Sequence, residues 1–151
     1  MDFQECIRFA NENPVCYVAT VDGDRPHVRT FLMWFADERG FYFETLSPKD
    51  VSHQIKSNPN VEICFYSHGA ELADAKQMRV AGKFEAVEDP ALVQQICKER
   101  AFLSDLAGQS VDPYMEVFRI HEGDVHFWQM TDVLKEDKIE HLHFGARESV
   151  V

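Results

Sequence analysis

Short runs rich in β-branched and aromatic residues recur along this chain, and three of the six junctions between neighbouring runs are hairpin-type turns. The runs cover 15–21, 27–35, 41–46, 61–66, 78–87, 115–121 and 124–130. Between them stand Asp-Gly-Asp-Arg-Pro at 22–26, Asp-Glu-Arg-Gly at 37–40 and Glu-Gly-Asp at 122–124, compositions that reverse a chain tightly. No glycine-rich turn leads from a strand into a helix, and the chain has only seven glycines. Dinucleotide-binding and P-loop architectures are thereby excluded. Six or seven short strands with few helices predict a mainly β fold, a barrel with peripheral helices.

Three helical stretches are expected. The first opens behind Asp2 with Phe3, Cys6, Ile7 and Ala10 on one face and ends near Asn13-Pro14. The second covers 48–57, with Ser47 as its cap and Pro48 at its first position, and stops at Asn58-Pro59. The third starts at Asp89-Pro90, a cap followed by proline, and keeps Leu92, Val93, Ile96, Cys97, Arg100, Leu103 and Leu106 at helical spacing. No linker or repeat divides the 151 residues, so 1–151 is read as a single domain. With 45% apolar residues and 12 Phe, a core can form without disulfide or metal staples.

Charge narrows the partners. Fifteen Lys and Arg face 26 Asp and Glu, for a net charge of −11. That balance excludes nucleic acid, which is held through clustered cations, and docking on an anionic membrane surface. The longest apolar run, 31–36, has six residues, against about 20 for a membrane-crossing helix. Charged residues interrupt the first dozen positions, so no export signal is read there. Cys6, Cys16, Cys64 and Cys97 contain no C-x-x-C pair, which points to reduced thiols and a cytoplasmic location.

Two segments carry chemistry. In 27–35, alternation puts Arg29, Phe31, Met33 and Phe35 on one face and Thr30, Leu32 and Trp34 on the other. Both faces are largely apolar, which predicts a central strand. Arg29 then needs either a carboxylate partner or a bound anion, because an unpaired buried charge is costly. In 45–49, Thr45 and Ser47 supply hydroxyls, Lys49 a cation, and the following helix start free N–H groups. These are ingredients of an anion site, although Ser47 could equally be a plain cap and Lys49 a solvated charge. His121, His126, His141 and His143 have no cysteine or carboxylate at ligand spacing, so no metal site is predicted. His53 is expected at a surface or an interface. No side-chain apparatus for nucleophilic or acid–base catalysis is visible, and the catalytic residues stay unknown.

The order Arg29-Thr-Phe-Leu-Met-Trp, Gly40-Phe-Tyr-Phe-Glu-Thr45, His53-Gln-Ile-Lys-Ser-Asn-Pro-Asn-Val61 and Gln77-Met-Arg-Val-Ala-Gly82-Lys resembles the pyridoxamine 5'-phosphate-oxidase-like family of flavin-binding split barrels. The likeness runs over residues 14–88, with a last strand pair ending at Trp128. It implies a six-stranded antiparallel split β-barrel that dimerises with FMN at the homodimer interface. By position, Arg29 would hold the FMN phosphate and the backbone of Thr30, Phe31 and Leu32 would follow the ring edge and ribityl chain. Thr45, Ser47 and Lys49 would complete the phosphate grip. Gln77 would contact the flavin, and Trp128 would approach the ring from the other subunit.

Departures from the family pattern matter as well. Trp34 stands where the oxidases carry a lysine for substrate phosphate. Their arginine-bearing C-terminal segment is missing too, with only Arg147 near this terminus. The resemblance therefore leans to the nitroimidazole-reductase-like and general-stress-protein-like branch. It implies an FMN-dependent oxidoreductase acting on a small molecule, with NAD(P)H as a candidate electron donor. Trp34 and the partner's Trp128 would line a substrate slot. Three alternatives stay open: a non-catalytic FMN carrier or sensor, a split barrel holding deazaflavin or haem, and a structural barrel whose Arg29 pairs with a carboxylate.

Overall fold

Asp2 starts the first helix with a reciprocal cap: its side chain accepts from the Glu5 N–H while the Glu5 side chain accepts from the Asp2 N–H. In a computed structural model that describes residues 1–145, this helix, α1 (Phe3–Glu12), leads into β1 (Val15–Asp22), β2 (Arg25–Leu32), β3 (Phe35–Asp37) and β4 (Gly40–Leu46). Then follow α2 (Asp50–Ser57), β5 (Asn60–Ser67), β6 (Lys76–Lys83), β7 (Glu85–Ala86), α3 (Pro90–Glu99), α4 (Phe102–Ala107), β8 (Met115–Ile120), β9 (Gly123–Gln129) and β10 (His141–Phe144). Arg147 lies outside the described residues.

The strands form two antiparallel sheets, β10-β9-β6-β5-β1-β2 and β3-β4-β8-β7. This is the mainly β, antiparallel split-barrel arrangement expected, with its strand count raised to ten by two breaks and one addition. The run 27–35 breaks at Met33-Trp34, so its tail joins the second sheet as β3. The run 78–87 breaks at Phe84, whose ring is buried in the core. β10 is the addition: His141-Leu-His-Phe is too short and too polar to be read as a strand from sequence.

Aromatic rings bridge the two sheets. Phe31 of β2 meets Phe43 of β4 edge-on at 5.9 Å, Phe41 lies 6.0 Å from Phe65, and Phe43 meets Phe84 at 5.2 Å. Phe3 stacks on Phe144 at 4.8 Å, closing α1 over β10. Each such ring contributes about 1.5–3 kcal/mol of burial free energy. Gly40 sits at φ 126° against Ile120, where a Cβ would meet the carbonyl oxygen at 2.0 Å, so only glycine can make that turn.

Four further sequence expectations change. Glu122-Gly-Asp does not close a hairpin: β8 pairs with β4 and β7 while β9 pairs with β6 and β10, so the chain crosses between the sheets there. β2 is an edge strand, not a central one: it pairs with β1 alone, and Val28 and Leu32 are 70% and 44% exposed. The second helix begins at Asp50 rather than Pro48, with Lys49 rather than Ser47 at its cap position. The Ser47 N–H is instead used by the Tyr114 carbonyl at 2.9 Å. The third helix divides at Arg100, whose guanidinium turns inward to Glu44 and to the Met33 carbonyl. A buried ion pair outweighs continued helical periodicity there, and Leu106 is left 81% exposed.

Candidate functional site

Alternation along β2 turns Arg29 and Phe31 inward, and a helix meets the arginine there. The guanidinium donates through Nη1 to the Val18 carbonyl at 3.2 Å and to Thr20 Oγ1 at 2.8 Å, and through Nη2 to Gln54 Oε1 of α2. Thr20 Oγ1 also donates to Gln54 Oε1 at 2.6 Å. All these partners are neutral. Among the described residues Arg29 makes no ion pair, so a structural arginine paired with a carboxylate is not what the fold contains. Burial lowers its pKa from the ordinary guanidinium value, while the Asp50 carboxylate works the other way from beyond ion-pair distance. A half-buried cation held only by neutral oxygens is pre-positioned for an anion.

The other predicted phosphate ligands lie on β4 and at the start of α2. Lys49 places its ammonium 5.8 Å from the Phe31 ring centroid. Thr45 follows Phe43 on the inner face of β4, is 2% exposed, and its Oγ1 has no hydrogen-bond partner among the described residues. Ser47 is half-buried just after it. The strands carrying Arg29 and Thr45 lie in different sheets rather than side by side. Gln54 ties β2 to α2, and the Phe31–Phe43 contact ties β2 to β4.

Thr30 and Leu32 point the other way, onto the outer face of the six-stranded sheet. Strand register continues that face through Tyr17, Cys64, Arg79 and His126, opposite one another in turn from Thr30. Gln77 and Trp128 are direct cross-strand partners on the same face. Gln77 accepts from the Cys64 thiol at 3.2 Å. Three strand spacings separate β2 from β6, about 14 Å, and four separate it from β9, about 19 Å. Within one chain the predicted residues thus form two groups, a cationic one at β2–α2 and an amide–indole one at β6–β9.

Trp34 belongs to neither group. Its indole N–H donates to Glu99 Oε2 of α3 at 2.5 Å, and its ring meets Phe35 edge-on at 4.9 Å. Within one chain Trp34 is half-buried against Phe35 and α3. His53 is exposed on α2. Burial pushes the Cys16 thiol up to about 12 and, more than the neighbouring carboxylates, the Cys6 thiol up to about 11, so neither supplies a thiolate.

Sequence reasoning missed Thr20 and Gln54. A signal existed for the first: in 15–21 the inward positions run Cys16, Val18, Thr20, and a hydroxyl in an apolar alternation implies a buried partner. Nothing in the pattern of α2 marks Gln54 as the one facing Arg29.

The model of the family described as pyridoxamine 5'-phosphate oxidase matches residues 3–129. The pyridoxine/pyridoxamine 5'-phosphate oxidase of Pseudomonas putida is 38% identical over 71 residues, which is 46% of this chain and 31% of that protein. The chain thus spans only about a third of the length of the curated relatives it matches, 31% in this case. Among solved structures, a NimC/NimA family protein from Clostridium acetobutylicum superposes with a TM-score of 0.72 at 22% identity, covering 93% of this chain and 92% of that one. General Stress Protein 26 from Bacillus anthracis gives 0.66 at 19%, covering 95% and 100%. An FAD-binding protein from Mesorhizobium loti gives 0.67 at 19%, covering 84% and 94%. These structures share the fold, and the sequence match over most of its length places the chain in the pyridoxamine 5'-phosphate oxidase family.

Proposed function

We propose that this chain is an FMN-dependent oxidoreductase acting on a small molecule, with the cofactor bound between two copies of the chain. The observation that carries the reading is Arg29, a half-buried cation with neutral partners beside a helix start. A flavin phosphate supplies the missing anion, and the orphaned Thr45 Oγ1 supplies a buried donor nearby. Arg29 and Lys49 bind the phosphate by charge, and Thr45 and Ser47 add hydroxyls. Because β2 is an edge strand, one side of its backbone at Thr30, Phe31 and Leu32 is left unpaired by the sheet and open to a ring edge. The Gln77 amide offers a hydrogen bond to the flavin, and Trp128 gives an apolar cover from the second copy. The distance between the two groups within one chain supports the division of the site between copies.

When bound, FMN supplies the electron or hydride chemistry, and the protein supplies position and exclusion of water. The flavin named for the Mesorhizobium loti neighbour supports the cofactor class. The acidic balance and the absence, among the described residues, of any helix long and apolar enough to cross a membrane agree with a small-molecule partner.

The absorbance spectrum of purified protein, with mass spectrometry of what heat releases, tests the cofactor. Flavin bands with FMN released support the reading, and a Soret band, deazaflavin or no chromophore overturns it. Arg29→Ala should weaken FMN binding by more than about 100-fold, since two charge-assisted hydrogen bonds are lost. Saturable reduction of the bound flavin by NADH or NADPH separates an oxidoreductase from a carrier or sensor.

A further inference from the structure

On β9, Asp124 and His126 are two residues apart and share the outer face of the six-stranded sheet. His141 of β10 lies directly opposite His126 in the antiparallel register. The fold thereby collects three side chains whose positions, 124, 126 and 141, show no metal-binding spacing in the sequence. The imidazoles of His126 and His141 stack at 4.5 Å with planes 28° apart, and His141 Nδ1 lies 2.7 Å from Asp124 Oδ1. One ligand atom from each of the three lies within 4.8 Å of the other two. We propose that Asp124, His126 and His141 form a binding site for one divalent transition metal ion of the zinc class, a site additional to, and independent of, the flavin reading.

Two imidazoles held face to face cannot both carry a proton without repulsion, whereas one divalent ion can accept both lone pairs. The donor set of two nitrogens and one carboxylate oxygen suits zinc and its late first-row neighbours rather than magnesium or calcium, which prefer all-oxygen sites. His141 and Asp124 are 50% and 43% exposed, so closing the cluster to bonding distance needs only side-chain movement. Three protein ligands leave at least one position open to water or to an incoming group.

The surrounding charges permit this. Arg79, opposite His126 on β6, is tied to Glu62 at 2.5 Å, so its charge is compensated. His143 and Glu122, 3.5 Å apart, flank the cluster along β10 and the β8–β9 turn.

Titration of the purified protein with Co²⁺, followed by its visible ligand-field bands and by displacement with Zn²⁺, tests the site. One ion per chain is expected, with spectral intensity of a low-coordinate nitrogen–oxygen site. His141→Gln, on an exposed edge strand, should abolish the bands while leaving the far-UV circular dichroism unchanged. His126→Gln and Asp124→Asn should weaken Zn²⁺ binding by at least the roughly 10–100-fold that loss of a supporting hydrogen bond costs a metal site. His68→Gln, exposed elsewhere, should bind as the unmodified chain does. Absence of Co²⁺ bands and of Zn²⁺ binding, or a folded His141→Gln that binds unchanged, overturns the proposal.

Discussion

At the scale of single residues, Arg29 and Thr45 are each incomplete in the same part of the molecule. Among the described residues Arg29 has no counter-ion and Thr45 holds a buried hydroxyl without a partner. An unsatisfied buried polar group costs about 1–3 kcal/mol, so a fold that keeps one gains something from it elsewhere. Thr45→Val, which swaps the hydroxyl for a methyl of similar volume, should stabilise the cofactor-free protein by about 1 kcal/mol in urea unfolding. The same change should weaken FMN binding by about 10–100-fold, the equivalent of one charge-assisted hydrogen bond. A variant that loses stability and keeps its FMN affinity would show that the hydroxyl is structural. From its place among apolar neighbours Arg29 was legible as needing a carboxylate or an anion, and the sequence alone did not choose between them. That Thr45 would be left without a partner was not legible, since the register of the opposing β8 and the course of α2 decide it.

At the scale of elements, α2 is the piece that makes a site out of separate strands. It brings Gln54 to Arg29 and Lys49 to Phe31, and it is itself pinned to β8 through Glu116. That carboxylate accepts from Ser52 Oγ at 2.5 Å and pairs with Lys56 at 2.6 Å. Burial alone raises the Glu116 pKa, but the Lys56 and Ser52 hydrogen bonds outweigh it and hold the group below its ordinary range. A carboxylate depressed in the folded state contributes stability that is complete above its unfolded pKa, about 4.3. The contribution is lost as pH falls through the lower folded value. Glu116→Gln should therefore flatten the acid limb of a thermal-stability profile below about pH 4.3, and an unchanged limb would show that the pin carries no charge-linked stability. The helix at 50–57 was readable from its stop at Asn58-Pro59, whereas its start was misplaced because Ser47 gives its N–H to Tyr114. Long-range partners take precedence over local capping signals in this way wherever a turn is packed on a neighbouring strand.

At the scale of the whole molecule, the outer face of the six-stranded sheet exposes Val15, Tyr17, Val28 and Leu32 at 58%, 45%, 70% and 44%. A contiguous apolar face of this kind marks an interaction surface, and β2 at its edge also carries the backbone proposed to meet the flavin. In the proposed dimer, Val28→Asp should give a monomer in light scattering and lose the proposed FMN, while leaving the circular dichroism of the fold in place. A dimer that persists in that variant would move the interface to another surface. The acidic balance bears on this scale too. A net charge of −11 disfavours extended anionic partners, while Arg29 and Lys49 are the cations proposed to hold one small anion.

The sequence by itself determined the β-rich class, the hairpin turns at 22–26 and 37–40, the exclusion of glycine-rich nucleotide folds and the need of Arg29 for either a carboxylate or a bound anion. Those follow from alternation, turn chemistry and the cost of burying charge, all of which act over a few residues. Only the tertiary structure decided that the 27–35 run is an edge that breaks into a second sheet, that Gln54 and Thr20 cradle Arg29, and that Asp124, His126 and His141 converge. Each of these depends on register between strands distant in sequence. A one-residue slip in register turns every side chain to the opposite face, so the pattern along a single strand says which residues share a face but not what they meet there.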